Sequence, residues 1–335
     1  MADAPDRLRE RSRLRPLLER LVFLTAAGAV FASLGAALAE NHWTLELMTH
    51  FKAQLAVGVV LVASLALYLR LYPMVAVCVL VFAFNAAHLL PYLMPQPKAA
   101  VAKVDSWRFL SANVSYRNRD FDALRRLVEE LRPDVIGLVE INSRWAGQLE
   151  ALYSDYPYRI VRPEEGAYGL ALLSRVPVSE YAGSPYRRDG INVSIMAAVA
   201  LGEEPVHVIL VHVRAPTSPA AAALRNAQLA DLSAMIRANG DRNQVLIGDL
   251  NVTPWSPYFA LVEADAGLVN AARGNGYLGT WPTSPAFLRI PIDYCLLSND
   301  LEAAGIRTGP DIGSDHLPLI IDVFPAGVTR QSTIY

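Results

Sequence analysis

For 19 residues between Arg20 and Glu40, 17 between Lys52 and Arg70 and 27 between Arg70 and Lys98, the chain carries no formal charge and is almost wholly apolar. An α-helix needs ~20 apolar residues to cross a bilayer, and the second run sits at the short limit. Three such runs in succession predict three transmembrane helices, at about 21–39, 53–69 and 72–94. A secretory signal peptide shares the Arg-rich flank, but its apolar core is shorter and is not followed at once by two more apolar runs. Buried helices of a soluble core are a poorer account of three consecutive runs. These segments also explain a composition of 53% hydrophobic and only 19% charged residues, with mean hydropathy +0.25, because the apolar excess lies before residue 100.

Orientation follows from charge. Arg7, Arg9, Arg11, Arg13, Arg15 and Arg20 face only two Glu in residues 7–20, and such a segment stays in the cytoplasm. The loop from Glu40 to Lys52 is then outside, Arg70 lies in a tight cytoplasmic turn, and everything after Lys98 is outside. The expected organisation is a basic cytoplasmic terminus over 1–20, a multi-pass anchor in the cytoplasmic (inner) membrane over 21–97, a linker over 98–106, a globular domain over 107–325 and a tail over 326–335. Pro91, Pro95 and Pro97 are expected to end the third helix. Asn85 and His88 read as interface positions or a helix–helix contact. Three short helices are few for a transport path, which leaves the later domain to carry the chemistry.

From residue 101 onward there are 21 Lys and Arg against 26 Asp and Glu, a net charge near -5. That balance argues against a stable nucleic-acid partner held by a broad basic surface. Cys78 and Cys295 fall in unlike contexts, one in an apolar run and one in a strand-like segment, so neither a disulfide framework nor a Cys metal site is expected. Trp107 to Val114 reads as a strand, with Asp120 capping an amphipathic helix whose Phe121, Leu124, Leu127, Val128 and Leu131 recur at helical spacing before Pro133. Further strands are expected at 135–139, 169–173, 195–201, 206–213, 244–248, 290–297 and 317–323, with an Ala-rich helix from about Ala220 to Ala238. Interleaved strands and helices with hairpin-like neighbours favour an α/β chain of the α+β type with mixed sheets.

Polar residues repeatedly stand at the ends of these strands. Asn113 ends the first and Glu140 the second; Asp249 and Asn251 follow Gly248; Asp293 and Ser314-Asp315-His316 adjoin the last two. His212 and His207 are five residues apart in one strand, so they face opposite sides and at most one can serve a shared site. Each alone suits a turn, a cap or a core hydrogen bond, but their joint placement points to a site. Tyr181, Arg187 and Arg188 occupy a loop region and read as solvated.

In order, Asn113-Val114, Pro133 to Glu140, His212, Gly248-Asp249-Leu250-Asn251, Ile292-Asp293-Tyr294 and Gly313-Ser314-Asp315-His316 resemble the endonuclease/exonuclease/phosphatase (DNase I-like) superfamily. Arg225 to Leu229, Thr253 to Pro257, Thr280-Trp281-Pro282 and Pro291-Ile292-Asp293 are similar to a bacterial branch with hydrophobic N-terminal segments. The resemblance spans about residues 107–323. Two departures are Val139, where Gln usually precedes the glutamate, and Pro291-Ile292, where an Arg often precedes the aspartate. The resemblance implies a four-layer sandwich of two mixed β-sheets flanked by helices, preceded here by the three transmembrane helices.

It also implies a Mg²⁺-dependent phosphoester hydrolase, with Mn²⁺ as the alternative ion. A cation must screen the phosphoryl oxygens and a base must activate water. Glu140 and Asn113 are the hard oxygen ligands such an ion accepts. His316 is the expected base, oriented by Asp315, because imidazole titrates near neutrality. Asp249 positions the water or binds metal, and Asn251 donates to the transition state. His212 is the expected acid or phosphate contact, with Asp293 holding its other ring nitrogen. The substrate is a phosphoester, whether lipid headgroup, nucleotide or nucleic acid. The alternatives are a nuclease acting outside the cytoplasm and a non-catalytic phosphoester-binding module that kept the fold.

Overall fold

The computed structural model describes residues 4–95, 106–181, 186–240 and 242–326, and the chain divides into two compact units, 1–91 and 92–335. The linker expected at 98–106 and the tail beyond 326 fall almost wholly outside the described residues.

The first unit holds helices α1 (Ala4–Ala37), α2 (Trp43–Leu47), α3 (Lys52–Tyr68) and α4 (Tyr72–Leu93). Leu14–Ala37, Trp43–Tyr68 and Tyr72–Leu93 form three helical stretches long and apolar enough to cross a membrane. Large apolar side chains such as Phe23, Leu24, Leu61 and Leu80 point outward, the inverse of a helix packed in a water-soluble core. The expected open loop from Glu40 to Lys52 is instead a compact series of short helical turns. Its Glu46, Thr49, His50 and Lys52 are buried, with Lys52 Nζ 4.5 Å from the centre of the Phe84 ring. Asn85 is a helix–helix contact: its Nδ2 donates to Ser33 Oγ at 2.8 Å, joining α4 to α1. Pro91 does not end α4, which continues two residues to Leu93; so near the C-terminus the lost N–H disturbs only the last turn.

The second unit is built on strands β1 (Trp107–Asn113), β2 (Val135–Val139), β3 (Tyr158–Arg162), β4 (Leu170–Ser174), β5 (Val178–Glu180), β6 (Tyr186–Arg188), β7 (Ile191–Val199), β8 (Val206–His212), β9 (Gln244–Asp249), β10 (Val269–Asn270), β11 (Asp293–Leu297), β12 (Leu301–Thr308) and β13 (Leu319–Pro325). Helices α5 (Phe121–Leu131), α6 (Ser143–Leu149), α7 (Pro219–Ala238) and α8 (Pro257–Ala266) complete it. One sheet runs β12-β13-β1-β2-β4-β3, and the other β10-β11-β9-β8-β7-β5 with β6 also on β7. Among the described residues only β1–β2 and β8–β9 pair in parallel, and each pair is joined by a crossover helix, α5 or α7.

Phe109, Val135 and Val139 of the first sheet meet Leu210, Val245 and Ile247 of the second in the central core. The outer face of the first sheet packs on α5 and α6, and that of the second on α7 and α8, which gives four layers. Gly137 sets the sheet separation, since a Cβ there would stand 2.6 Å from Ile247 Cδ1. Asp120 caps α5 by accepting from Ala123 N at 3.1 Å, and Ser218 caps α7 in the same way.

Proline trims two expected strands. β11 starts at Asp293 and not Ile290 because Pro291 has no N–H for the ladder, and β13 starts at Leu319 beyond Pro318 for the same reason. Residues 182–185 lie outside the described residues, but the expected loop around them ends in β6. Arg187 there bonds Glu164 and Asn192, Arg188 pairs with Asp231, and Tyr181 stacks on His207, so all three belong to the scaffold.

Candidate active site

The topology brings the strand-end polar groups to one edge of the sandwich. Parallel β1 and β2 end together at Asn113 and Val139, so Glu140 emerges beside Asn113. Parallel β8 and β9 place His212 opposite Asp249, and antiparallel β11 begins with Asp293 opposite Asp249. A strand that ends in the parallel pair and one that begins antiparallel to it deliver side chains to the same edge. β13 begins antiparallel to β1, which brings the preceding His316 there too.

The contacts are direct. Asp249 Oδ2 lies 3.7 Å from His212 Nε2, 3.8 Å from His316 Nε2 and 3.2 Å from Asn113 Nδ2. Asn113 Nδ2 also donates to Glu140 Oε1 at 3.0 Å, and the second Glu140 oxygen accepts from Tyr116 N at 3.0 Å. On the other side, His316 Nδ1 bonds Asp293 Oδ2 at 2.9 Å. Asn113, His212, Asp249, Asp293 and His316 are all buried. Carboxylate and imidazole atoms of Asp249, Asp293 and His316 lie within 4.8 Å of one another, a group able to hold a metal ion.

Two expected pairings are corrected. Asp293 holds His316, not His212, because the β9–β11 register carries it to the Nδ1 side of that ring. Asp315 does not orient His316: adjacent residues point apart, and the exposed Asp315 accepts from Trp281 Nε1 at 3.3 Å. Asn113 presents its amide nitrogen to the carboxylates while its Oδ1 accepts from Ser115 N at 3.0 Å, so here it braces Glu140 and Asp249. Asn251 Nδ2 donates to Val213 O at 3.1 Å, leaving one amide hydrogen for a ligand.

The local chain is bent to achieve this. Glu140 (φ 67) and Asn251 (φ 49) are non-glycine residues in the left-handed region, conformations that collect at functional sites. Gly248 at φ 128 tolerates no side chain, since a Cβ would sit 2.0 Å from Val211 O.

Electrostatics follow from burial and crowding. Burial, and then repulsion from Asp293, pushes the Asp249 carboxyl well above its ordinary range, opposed by His316 and by the N–H donors of Asn251 and Asn113. Burial by itself lowers the His316 pKa, but Asp293, with Asp249 and Asp315, raises it overall. Burial lowers His212, against the pull of Glu140.

Several residues support the site through contacts that the sequence does not reveal. Ser314 Oγ donates to Asn113 O at 2.7 Å and accepts from His316 N at 3.1 Å, tying the two ends of the domain together. Buried Arg225 donates from Nη1 to Asn251 O at 3.0 Å and fixes the Asp249 loop. The Tyr168 ring lies 5.8 Å from that of His212, with the Arg214 guanidinium 5.6 Å from the Tyr168 centre. Tyr168 just precedes β4, which runs antiparallel to β2, so the strand-end rule that exposed Glu140 applied to it as well.

Two mixed sheets between helices, with carboxylates, an amide and two imidazoles converging at one edge, define the DNase I-like class of α/β sandwich. The profile of the Endonuclease/Exonuclease/phosphatase family matches residues 110–316, and the chain belongs to that family. Its members hydrolyse phosphoester bonds. No curated protein matches the chain. Among solved structures, truncated Caenorhabditis elegans TDP2 shares 16% identity over 66% of this chain and 98% of its own, with a TM-score of 0.53. D. rerio TDP2 complexed with a single-strand DNA product gives 16% identity, 66% and 100% coverage and 0.53. A mutant beta toxin from Staphylococcus aureus with bound magnesium ions gives 18%, 65% and 99% coverage and 0.50. At these identities the likeness establishes the fold.

Proposed function

We propose that the chain is a membrane-anchored, Mg²⁺-dependent phosphoesterase that cleaves its substrate by in-line attack of water on phosphorus. The observation that carries this reading is the convergence of the Nε2 atoms of His212 and His316 on one carboxylate oxygen of Asp249, with Asp293 behind His316. The donor set suits a divalent cation. Glu140, Asp249 and Asp293 supply hard oxygens, and among the described residues the ion-pair partners of Asp249 and Asp293 are imidazoles alone. Glu140 and Asp249 would hold the ion, with Asn113 bracing both. Bound Mg²⁺ supplies positive charge that screens the phosphoryl oxygens. The fold likeness to a beta toxin with bound magnesium supports the choice of ion.

The protein's own groups do the proton work. His316 Nε2 takes a proton from the attacking water, while Asp293 at Nδ1 fixes the tautomer and stabilises the imidazolium. The neighbouring Asp293 and Asp249 raise the His316 pKa, which makes the ring the stronger proton acceptor of the two imidazoles. His212, whose Nε2 lies 3.7 Å from the same Asp249 oxygen, would serve the leaving-group oxygen. The remaining Asn251 amide hydrogen donates to the transition state.

A second reading, cleavage of nucleic acid, is favoured by the likeness to D. rerio TDP2 bound to a single-strand DNA product. The acidic balance of the domain counts against it. Purified full-length protein is expected to hydrolyse bis-p-nitrophenyl phosphate in Mg²⁺ and to stop in excess EDTA. Inertness toward that ester and toward DNA, RNA, phospholipid, sphingomyelin and inositol phosphates would reject the phosphoesterase reading.

The arginines of residues 7–20 and the three apolar helices support a topology in which this domain lies outside the cytoplasmic membrane. Alkaline phosphatase fused after Tyr335 is expected to be active. A fusion active only with a cytoplasmic reporter would reverse the orientation.

A further inference from the structure

Among the described residues from 106 onward, six large apolar side chains are prominently exposed: Tyr158, Leu261, Val269, Trp281, Phe287 and Leu288. Three of the six fall in one loop, 280–290, and Phe287 is the most exposed of the six at 74%. No charged residue occurs between Arg273 and Arg289. The tip, Ser284-Pro285-Ala286-Phe287-Leu288, is exposed throughout. Water therefore meets an uncharged knob with a phenyl ring and a leucine at its end.

This exposure is built, because the base of the loop is tied down. Trp281 N donates to Ile290 O at 3.1 Å and Ile290 N to Trp281 O at 2.6 Å. Arg289 Nε donates to Thr283 O at 3.1 Å, so the nearest charge is spent inside the loop. Thr283 N donates to Asp315 O at 2.7 Å and Thr283 Oγ1 to Ser314 O at 2.9 Å. The knob is thus braced against the segment that carries His316. Holding a phenyl ring out in water is unfavourable unless something covers it.

The chemistry of the knob selects the cover. A stable protein interface buries about 800 Å² on each partner, whereas this feature is two or three side chains on a single turn. Phe, Trp and Leu without charge suit the headgroup–acyl boundary of a bilayer, where aromatic rings collect. Three helices of this chain are long and apolar enough to cross a membrane, and tethering holds a bilayer at high effective concentration.

We propose that loop 280–290 is a lipid-contacting element whose Phe287 and Leu288 enter the headgroup–acyl boundary, setting the Asp315–His316 side of the active site at the bilayer surface. The proposal rests on the anchoring reading for the source of the bilayer and not on catalysis.

Cys78 and Cys295 are buried, so a nitroxide attached at an introduced thiol reports its own position. Full-length Phe287→Cys, Leu61→Cys and Leu261→Cys, each labelled and reconstituted in phosphatidylcholine nanodiscs, are compared by collisional accessibility to oxygen and to a water-soluble nickel chelate. The Leu61 label reports the anchor and the Leu261 label the exposed surface of the domain. The Phe287 label is expected about 5–10 Å below the phosphate level, shielded from the chelate, with Leu261 open to it. A Phe287 label as open to chelate as Leu261, beside an immersed Leu61, overturns the proposal and leaves the anchor standing. A Leu61 label open to chelate overturns both. Line broadening at Phe287 that disappears on dilution with unlabelled protein assigns the knob to a second copy and also overturns it.

Discussion

His316→Ala is expected to lower kcat on bis-p-nitrophenyl phosphate by about 10²- to 10⁴-fold, the usual contribution of a positioned acid or base. The ring is buried, its Nε2 faces Asp249, and its Nδ1 is held by Asp293 at 2.9 Å. Asp293→Asn keeps the shape but reverses the hydrogen-bond preference at Nδ1, so it should lose about 10²-fold or more through the wrong tautomer. The double variant should be little worse than His316→Ala alone, because the two residues act as a unit. Asp315→Asn is the contrast, since its carboxylate bonds Trp281 and makes no hydrogen bond to the ring; its loss should be clearly smaller than that of Asp293→Asn. Removing the imidazole strands a buried carboxylate, which costs about 3–5 kcal/mol, so thermal unfolding must accompany each assay. His316→Gln, which retains a donor, is expected to recover stability but not rate. A His316→Ala enzyme within threefold of the parent, or an Asp315→Asn loss equal to that of Asp293→Asn, would refute this assignment of roles.

Most of the site was legible because it obeys strand-end logic. Asn113, Glu140, Asp249 and Asp293 each end, follow or open a strand, and short apolar runs bounded by turn residues mark such strands even in a single sequence. Pairing between distant residues was not legible. Whether Asp293 meets His212 or His316 depends on which strands neighbour β9 and in what register, a tertiary fact with no local trace. The contacts of Ser314 and Arg225 were not legible for the same reason: one reaches the Asn113 carbonyl and the other the Asn251 carbonyl across the fold. Short elements such as β5, β6 and β10 offer only two or three residues, too few for periodicity to register. The helical turns over 39–51 mix charges with apolar residues and read as a loop, yet Glu46, His50 and Lys52 find cover among the helices. Loop 280–290 does not stand out in the sequence as a lipid-contacting segment, because exposure separates such a knob from core residues, and exposure needs coordinates.

Saturating Mg²⁺ is expected to raise the thermal midpoint of the metal-free chain, and Glu140→Gln to abolish both that shift and most of the activity. The native state gathers Glu140, Asp249 and Asp293 at one edge of the sandwich, and burial, with repulsion from Asp293, disfavours the charge on Asp249. The unfolded chain disperses them, so a cation that neutralises the cluster binds the folded form preferentially and stabilises it. At 100 times its Kd such a ligand adds about 2.7 kcal/mol, or roughly 5–10 °C for a domain of this size. Gln at position 140 can still accept from Tyr116 N, so the variant should fold, but it no longer offers the ion a charged oxygen. Two readouts separate the ways this can fail. An unchanged Mg²⁺ shift in Glu140→Gln would move the ion away from Glu140, toward the Asp249–Asp293–His316 group. A parent that hydrolyses phosphoesters with no Mg²⁺ shift and no sensitivity to EDTA would leave the two histidines and Asp249 as the whole of the catalytic apparatus.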